Sequence, residues 1–398
     1  MTGAPVAGPA RAPKPRMLVI DARVPTPDRD GGSLRLLCLL SMFRHSACSV
    51  EFLPSFPESF PPFADSLASD TARLREKGIE VVGDGGAVEE YLETHGTSYD
   101  LVWICGAYVA SRHVPAIRRW APRAALVFDT IDLHHVREYR EAKLTGSVPR
   151  LHNALKVKRV ELAAARAADC TVVVSENERR ILLREAPGIA TAVVPNVHEV
   201  AGTVPGFAAR RDLLYLGAFT FSPNVDAVLT FVQDTLPSVR GRLPEVRLVV
   251  AGADPTPEVR ALAGEHVEVT GYVDDLHALF ARCRVFVAPL RFGAGIKGKL
   301  LFAMGQGLPA VASPVAVEGI PAEPDTHVAV AGPVHEWVER IAALYHDPNR
   351  WQRQSDAGRA LVAEHFSPAV VEGRVAALLA GLTTHRAGAV VLSEERST

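Results

Sequence analysis

VHEVAGTVPGFAARRDLLYLGA, residues 197 to 218, is the stretch on which the fold turns. Its first part, 197 to 212, is rich in Gly, Pro and Ala without apolar periodicity, the composition of a connection. Its last part, DLLYLGA at 212 to 218, is a short, nearly continuous apolar run that reads as a buried strand. A strand and helix alternation stops at this stretch and restarts after it.

Before it lie MLVIDAR (17 to 23), VEFLP (50 to 54), DLVWICG (100 to 106), AALVFDT (124 to 130), CTVVVS (170 to 175) and TAVVPN (191 to 196). After it come VRLVVAG (246 to 252), VEVTGYV (267 to 273), VFVAPL (285 to 290) and PAVAS (309 to 313). Apolar runs separated by helical patterns are what parallel sheets covered on both faces require. At 398 residues the chain exceeds what one core of roughly 250 to 300 residues holds.

The fold class is therefore α/β, with two Rossmann-like domains at 16–199 and 212–363 facing across a cleft and a linker at 200–211. A Pro/Ala-rich leader over 1–15 is expected to be disordered. The Ser367-Pro368 pair starts a C-terminal helix over 364–383, and 384–398 reads as a loose tail.

A net charge of −2, with 48% hydrophobic and 22% charged residues, describes a globular chain and argues against nucleic-acid binding. Cys38, Cys48, Cys105, Cys170 and Cys283 are scattered without metal-ligand spacing and read as buried thiols in a reducing compartment. No apolar run reaches the roughly 20 residues that span a bilayer, and the leader lacks a signal-peptide core, so a cytoplasmic location is expected. Basic runs at 111–123 and 148–159 admit a peripheral membrane contact, although such runs are more often solvated helix faces.

Functional residues in this architecture belong in strand-to-helix loops. PTPDRDGGSLR (25 to 35) brings Gly31 and Gly32 to a helix start, with Asp30 or Ser33 as the ordinary cap; Asp28 and Asp30 spell a weak DxD metal pair. FDTIDLHHVRE (128 to 138) gathers Asp129, Asp132, His134 and His135 at a strand end. In the third loop, RFGAG leads into the helix IKGKLLFAMGQG, ended by Gly307, with Lys297 and Lys299 at its mouth.

A helix start favours an anion by about 0.3 to 1 kcal/mol, whereas a lysine about 4 Å from a phosphate oxygen adds about 4 kcal/mol before desolvation. The lysines would dominate. The loop does not fit GxxxxGK[ST], since Leu300 follows Gly298-Lys299, and no loop completes GxGxxG with an acidic partner. ATP hydrolysis and nicotinamide chemistry are thus disfavoured.

With these motifs, and with ADCTVVVSENER (168 to 179), VVPNV (193 to 197), LGAFTFSPNVDAV (216 to 228), VTGYVDDL (269 to 276) and APLRFGAGIKGKLLFAMGQGLPAVASPVAVEGI (288 to 320), the chain resembles retaining GT-B glycosyltransferases of the family 4 type. The resemblance runs from Met17 to about Leu382. It implies an acceptor-side first domain, a second domain holding a nucleotide-diphosphate sugar, and a last helix crossing back to the first domain. No cofactor and no metal are implied beyond that donor substrate.

By position, the resemblance puts Gly31 and Gly32 beside the donor diphosphate and sugar, and His134 near the sugar. Lys297, with the backbone of Gly295 and Ile296, would stabilise the leaving diphosphate, with Lys299 as second cation. The nucleobase would lie at Gly271, Tyr272 and Val273.

Two departures stand out. The E-x7-E glutamates of many members are here Ala294 and Phe302, and an Arg and a Lys usual after the first donor-domain strand have no match in GAFTFSPNVDA. Phe302 offers ribose no hydrogen bond, so a deoxyribose donor or weakened donor binding is expected, with Glu318 able to take over the ribose contact. Rival expectations are an inactive glycosyltransferase-like partner protein and a sugar-nucleotide epimerase. The acceptor is open among a glycan, a lipid-linked sugar, a natural product and a peptide.

Overall fold

The computed structural model describes residues 14–46, 48–56, 67–83 and 87–394. The leader expected over 1–15 lies almost wholly outside them. Seven parallel strands form the first sheet: β1 (Arg16–Asp21), β2 (Ser49–Pro54), β3 (Glu80–Val81), β4 (Leu101–Cys105), β5 (Ala125–Asp129), β6 (Cys170–Val173) and β7 (Thr191–Val193). Six form the second: β8 (Arg211–Leu216), β9 (Leu248–Ala251), β10 (Val267–Gly271), β11 (Cys283–Ala288), β12 (Ala310–Ala312) and β13 (Ala329–Val330).

The first sheet runs β3-β2-β1-β4-β5-β6-β7 and the second β10-β9-β8-β11-β12-β13. Each reverses its order beside its first strand, which makes a ligand crevice between β1 and β4 and another between β8 and β11. β4 and β5 are buried along their whole length, as the unbroken apolar runs require. Ser175, Asp275 and Ser313 turn strands into helices by accepting the amide three residues on. The two-residue edge strands β3 and β13 are too short to leave a periodic signal and were not anticipated.

The helix Pro348–Phe366 packs Leu361, Val362 and Phe366 into the second core. The next helix, Pro368–Glu394, puts Val371, Val375 and Leu379 into the first core, so the chain changes domain at Ser367. That helix runs to Glu394, where a loose tail was expected after Thr383, because no proline or capping glycine motif stops it. Cys38 is only half-buried, unlike the other four cysteines, and all five are free thiols.

Candidate functional site

Both crevices open on glycine loops. After β1 the chain turns through Thr26 to Asp30 into the helix Gly31–His45; after β4, Gly106 (φ 75°) leads into Ala107–Trp120. After β8, Gly217 precedes the helix Ser222–Thr230; after β11, Gly293 (φ 149°) and Gly295 (φ 66°) precede Gly298–Gly305. A Cβ at Gly252, just after β9, would stand 1.8 Å from the Gly217 carbonyl oxygen, so the loops after β8 and β9 close on each other through bare backbone.

On the first domain's lip, Asp30 is the helix cap, accepting from the Ser33 amide at 2.7 Å and its hydroxyl at 2.8 Å and pairing with Arg23 at 2.7 Å. Asp28 turns away to Arg73 at 2.9 Å, so the DxD pair does not converge as a metal site. A Cβ at Gly31 would meet nothing within 4 Å; one at Gly32 would meet Asp30 and Ile131. Ile131, at φ 64°, is a β-branched residue in the left-handed region, and it wedges between Gly32 and Gly106.

Beneath this loop Arg35 and Asp129 form a fully buried ion pair at 2.7 Å, and Arg35 also donates to the Val194 carbonyl. The pair fixes the end of β5, and with it Asp132 and His134. His134 opens the helix His134–Thr145, whose first amides are taken by Glu178 (from Leu133) and Glu161 (from His134 and His135). Burial, reinforced by Asp132, pushes Glu178 up to about 8. His134 Nε2 lies 3.1 Å from Asp132 Oδ1 without forming a hydrogen bond to it. Its Nδ1 is buried without a hydrogen-bond partner among the described residues.

On the second domain's lip, Lys297 occupies the cap position of Gly298–Gly305, where no side chain caps the helix. Its Nζ donates to the carbonyls of Ala294 (2.9 Å) and Gly295 (2.6 Å). Burial pulls it down to about 8, opposed by Glu318, Asp132 and Glu178. Lys299 reaches the Asn224 side-chain oxygen and lies 5.3 Å from the Tyr215 ring. Burial, then repulsion from Lys297, brings it down to about 7.

The two lips touch. A Cβ at Gly295 would come 2.9 Å from the Asp132 Cβ, and one at Gly319 would come 2.9 Å from the Ser175 hydroxyl. Arg140 of the first domain binds both oxygens of Glu318 and donates to the Gly293 carbonyl at 2.7 Å, while Asn177 donates to Glu318 at 2.9 Å. Glu318, expected at a ribose, is thus engaged across the domain boundary.

Gly31, Gly32, His134, Gly295, Ile296 and Lys297 therefore converge, linked through Ile131 and Asp132. Phe302 stands apart from that cluster, in an aromatic group with Phe280 (4.9 Å, edge-on) and His277 (5.5 Å). Tyr272 is about half exposed next to Gly271 (φ 70°), on the rim of an open hollow of about 400 Å³, and Val273 packs against the core. Sequence reasoning missed Gly106, Arg35, Asn224 and Arg140. Only Gly106, a glycine at a strand's carboxyl end, carried a local signal.

Residues 210–347 match the family model described as Glycosyl transferases group 1. No curated protein matches the sequence significantly. Among solved structures, sucrose-phosphate synthase from Thermosynechococcus elongatus is similar with a TM-score of 0.72 at 15% identity, covering 93% of this chain and 100% of that one. HepE from Anabaena, in complex with UDP and glucose, gives a TM-score of 0.67 at 16% identity, covering 92% and 99%. TarM gives a TM-score of 0.70 at 9% identity, covering 90% and 97%. The paired parallel sheets and these neighbours establish the GT-B fold, and the family match falls within its second domain.

Proposed function

We propose that this protein is a glycosyltransferase that moves a sugar from a nucleotide-diphosphate sugar to an acceptor, with retention of configuration and without a metal. The observation that carries the reading is Lys297, buried at an uncapped helix start beside a glycine loop whose Gly295 packs against Asp132 of the first domain. The group 1 match over the same domain supports it, as does a neighbour of this fold that holds UDP and glucose.

In this reading the acceptor nucleophile attacks the anomeric carbon as the diphosphate leaves from the same face. Lys297, Lys299 and the amides at the start of Gly298–Gly305 meet the charge that develops on the leaving group, the interaction with most leverage on rate. His134 offers a ring nitrogen to a sugar hydroxyl, and Gly31 leaves room for the ring. Tyr272 and Val273 flank the nucleobase. The acceptor enters from the first domain and belongs to the glycan, lipid-linked sugar, natural product or peptide class.

Mass spectrometry of purified protein with a panel of sugar nucleotides tests this: nucleotide release from at least one donor is the expected result. Failure with every donor favours the inactive-partner reading, which the missing carboxylates at Ala294 and Phe302 support. An isomerised sugar nucleotide, with no nucleotide released, would indicate an epimerase instead. UDP- and dTDP-sugar titrations of wild type and Phe302→Glu address the nucleotide; equal affinity in all four combinations removes the deoxyribose idea.

A further inference from the structure

Four of the ten large apolar side chains exposed among the described residues sit at one corner: Leu144 (42%), Val148 (61%), Leu151 (37%) and Leu155 (48%). They flank the turn at Gly146, which ends the helix His134–Thr145 in the left-handed conformation, and continue along Val148–Ala167. The buried face of that second helix is Ala154, Val157, Glu161, Leu162, Ala164 and Ala165. At 3.6 residues per turn, Val148, Leu151 and Leu155 point roughly 105° away from the mean direction of that face, on a line that Leu162, two turns further on, carries into the core. The first two turns of this helix therefore leave an apolar stripe uncovered.

Charge accompanies the outer stripe. Residues 134–167 carry eight Lys and Arg against three Glu, a net charge of +5 in a chain whose total is −2. Arg150 pairs with Glu141 and Lys158 with Glu185. Lys143, Lys156 and Arg159 are exposed, with no ion pair among the described residues.

From this we infer that the corner at residues 143–159 docks on an anionic lipid surface. A protein partner fits less well, because protein interfaces deplete lysine and favour flat or concave packing, whereas this is a protruding turn of leucines edged with lysines. Insertion of the leucines and attraction of the cations to acidic headgroups use both features together. The inference does not depend on the proposed transfer reaction.

Flotation of the full chain with vesicles tests it, using phosphatidylcholine alone or mixed equally with phosphatidylglycerol. Co-flotation is expected only with the anionic vesicles. Lys156→Gln with Arg159→Gln should weaken partitioning about 30-fold, equivalent to about 2 kcal/mol. Leu151→Glu with Leu155→Glu should abolish it, with circular dichroism confirming that the variant is folded. Absence of wild-type flotation, or wild-type behaviour in the lysine and arginine variant, overturns the inference. So does a lipid-free dimer that the leucine variant splits, which would assign the face to a second copy.

Discussion

Two helices begin on glycine loops at equivalent crevices, one at Gly31 and one at Gly298, and they differ in the residue at the cap. Asp30 neutralises the first helix start with its own carboxylate, and Glu161 and Glu178 do the same for the neighbouring helix at His134. The second lip has Lys297 at the cap and no carboxylate on the amides. Two glycine loops therefore lead to opposite electrostatics: one lip presents hydrogen-bond acceptors suited to hydroxyls, and the other attracts an anion.

The largest expected effect from disturbing this contrast is Lys297→Ala, which should lower turnover about 100- to 1000-fold if the lysine meets leaving-group charge. Steady-state rates with the best donor measure it. On the opposite lip, His134→Ala should cost about 10- to 100-fold in rate while leaving UDP affinity nearly intact, as calorimetry would read. An unaffected rate would return His134 to a purely structural role. Lys299→Ala should cost only about 10-fold in donor affinity. Its ammonium is already shared with Asn224 and Tyr215. Losses matching those at Lys297 would mean the two lysines act as one unit.

Protonation sharpens the same contrast. Lys297 and Lys299 sit near 8 and 7 in the free protein, and a bound diphosphate raises both, so binding of UDP-glucose near pH 8 should take up protons. Donor affinity should then fall as pH rises from about 7 toward 9. Calorimetry in buffers of different ionisation enthalpy detects the uptake; none at all would mean that the lysines do not meet the anion. For stability the sign is reversed, because depressed lysines leave the unfolded chain with more bound protons, and their burial is tolerated better as pH rises from about 7 to 10. The smallest effect is Asp30→Ala, expected to cost about 1 kcal/mol of stability by thermal melts and little donor affinity.

The sheets were legible because strands such as β4 and β5 are apolar from end to end, which only two-sided burial explains. The Lys297 loop was legible because its glycines, lysines and helix start are contiguous. The pairing of Arg35 with Asp129 was not, since the contact spans 94 positions, although Asp129 itself stood in a marked cluster. Asp30 remained one of two candidate caps because Ser33 lies in the same turn, and the hold of Arg140 and Asn177 on Glu318, read as able to take over a ribose contact, spans the two domains and left no local signal. Phe302 shows the reverse case. Its oddity was visible in the sequence, and the aromatic group that accommodates it came only with the fold.

The latch of Arg140 on Glu318 and the Gly293 carbonyl, together with Lys297 on its own loop carbonyls, has a kinetic meaning under the proposed function. These contacts use the same charges and backbone that a diphosphate would engage, so the closed protein competes with its own substrate. Apparent donor affinity equals the intrinsic affinity multiplied by the open fraction; an open population of about one tenth would weaken binding about tenfold. Slow, saturable association of donor would then report domain opening, and Arg140 would set the clock.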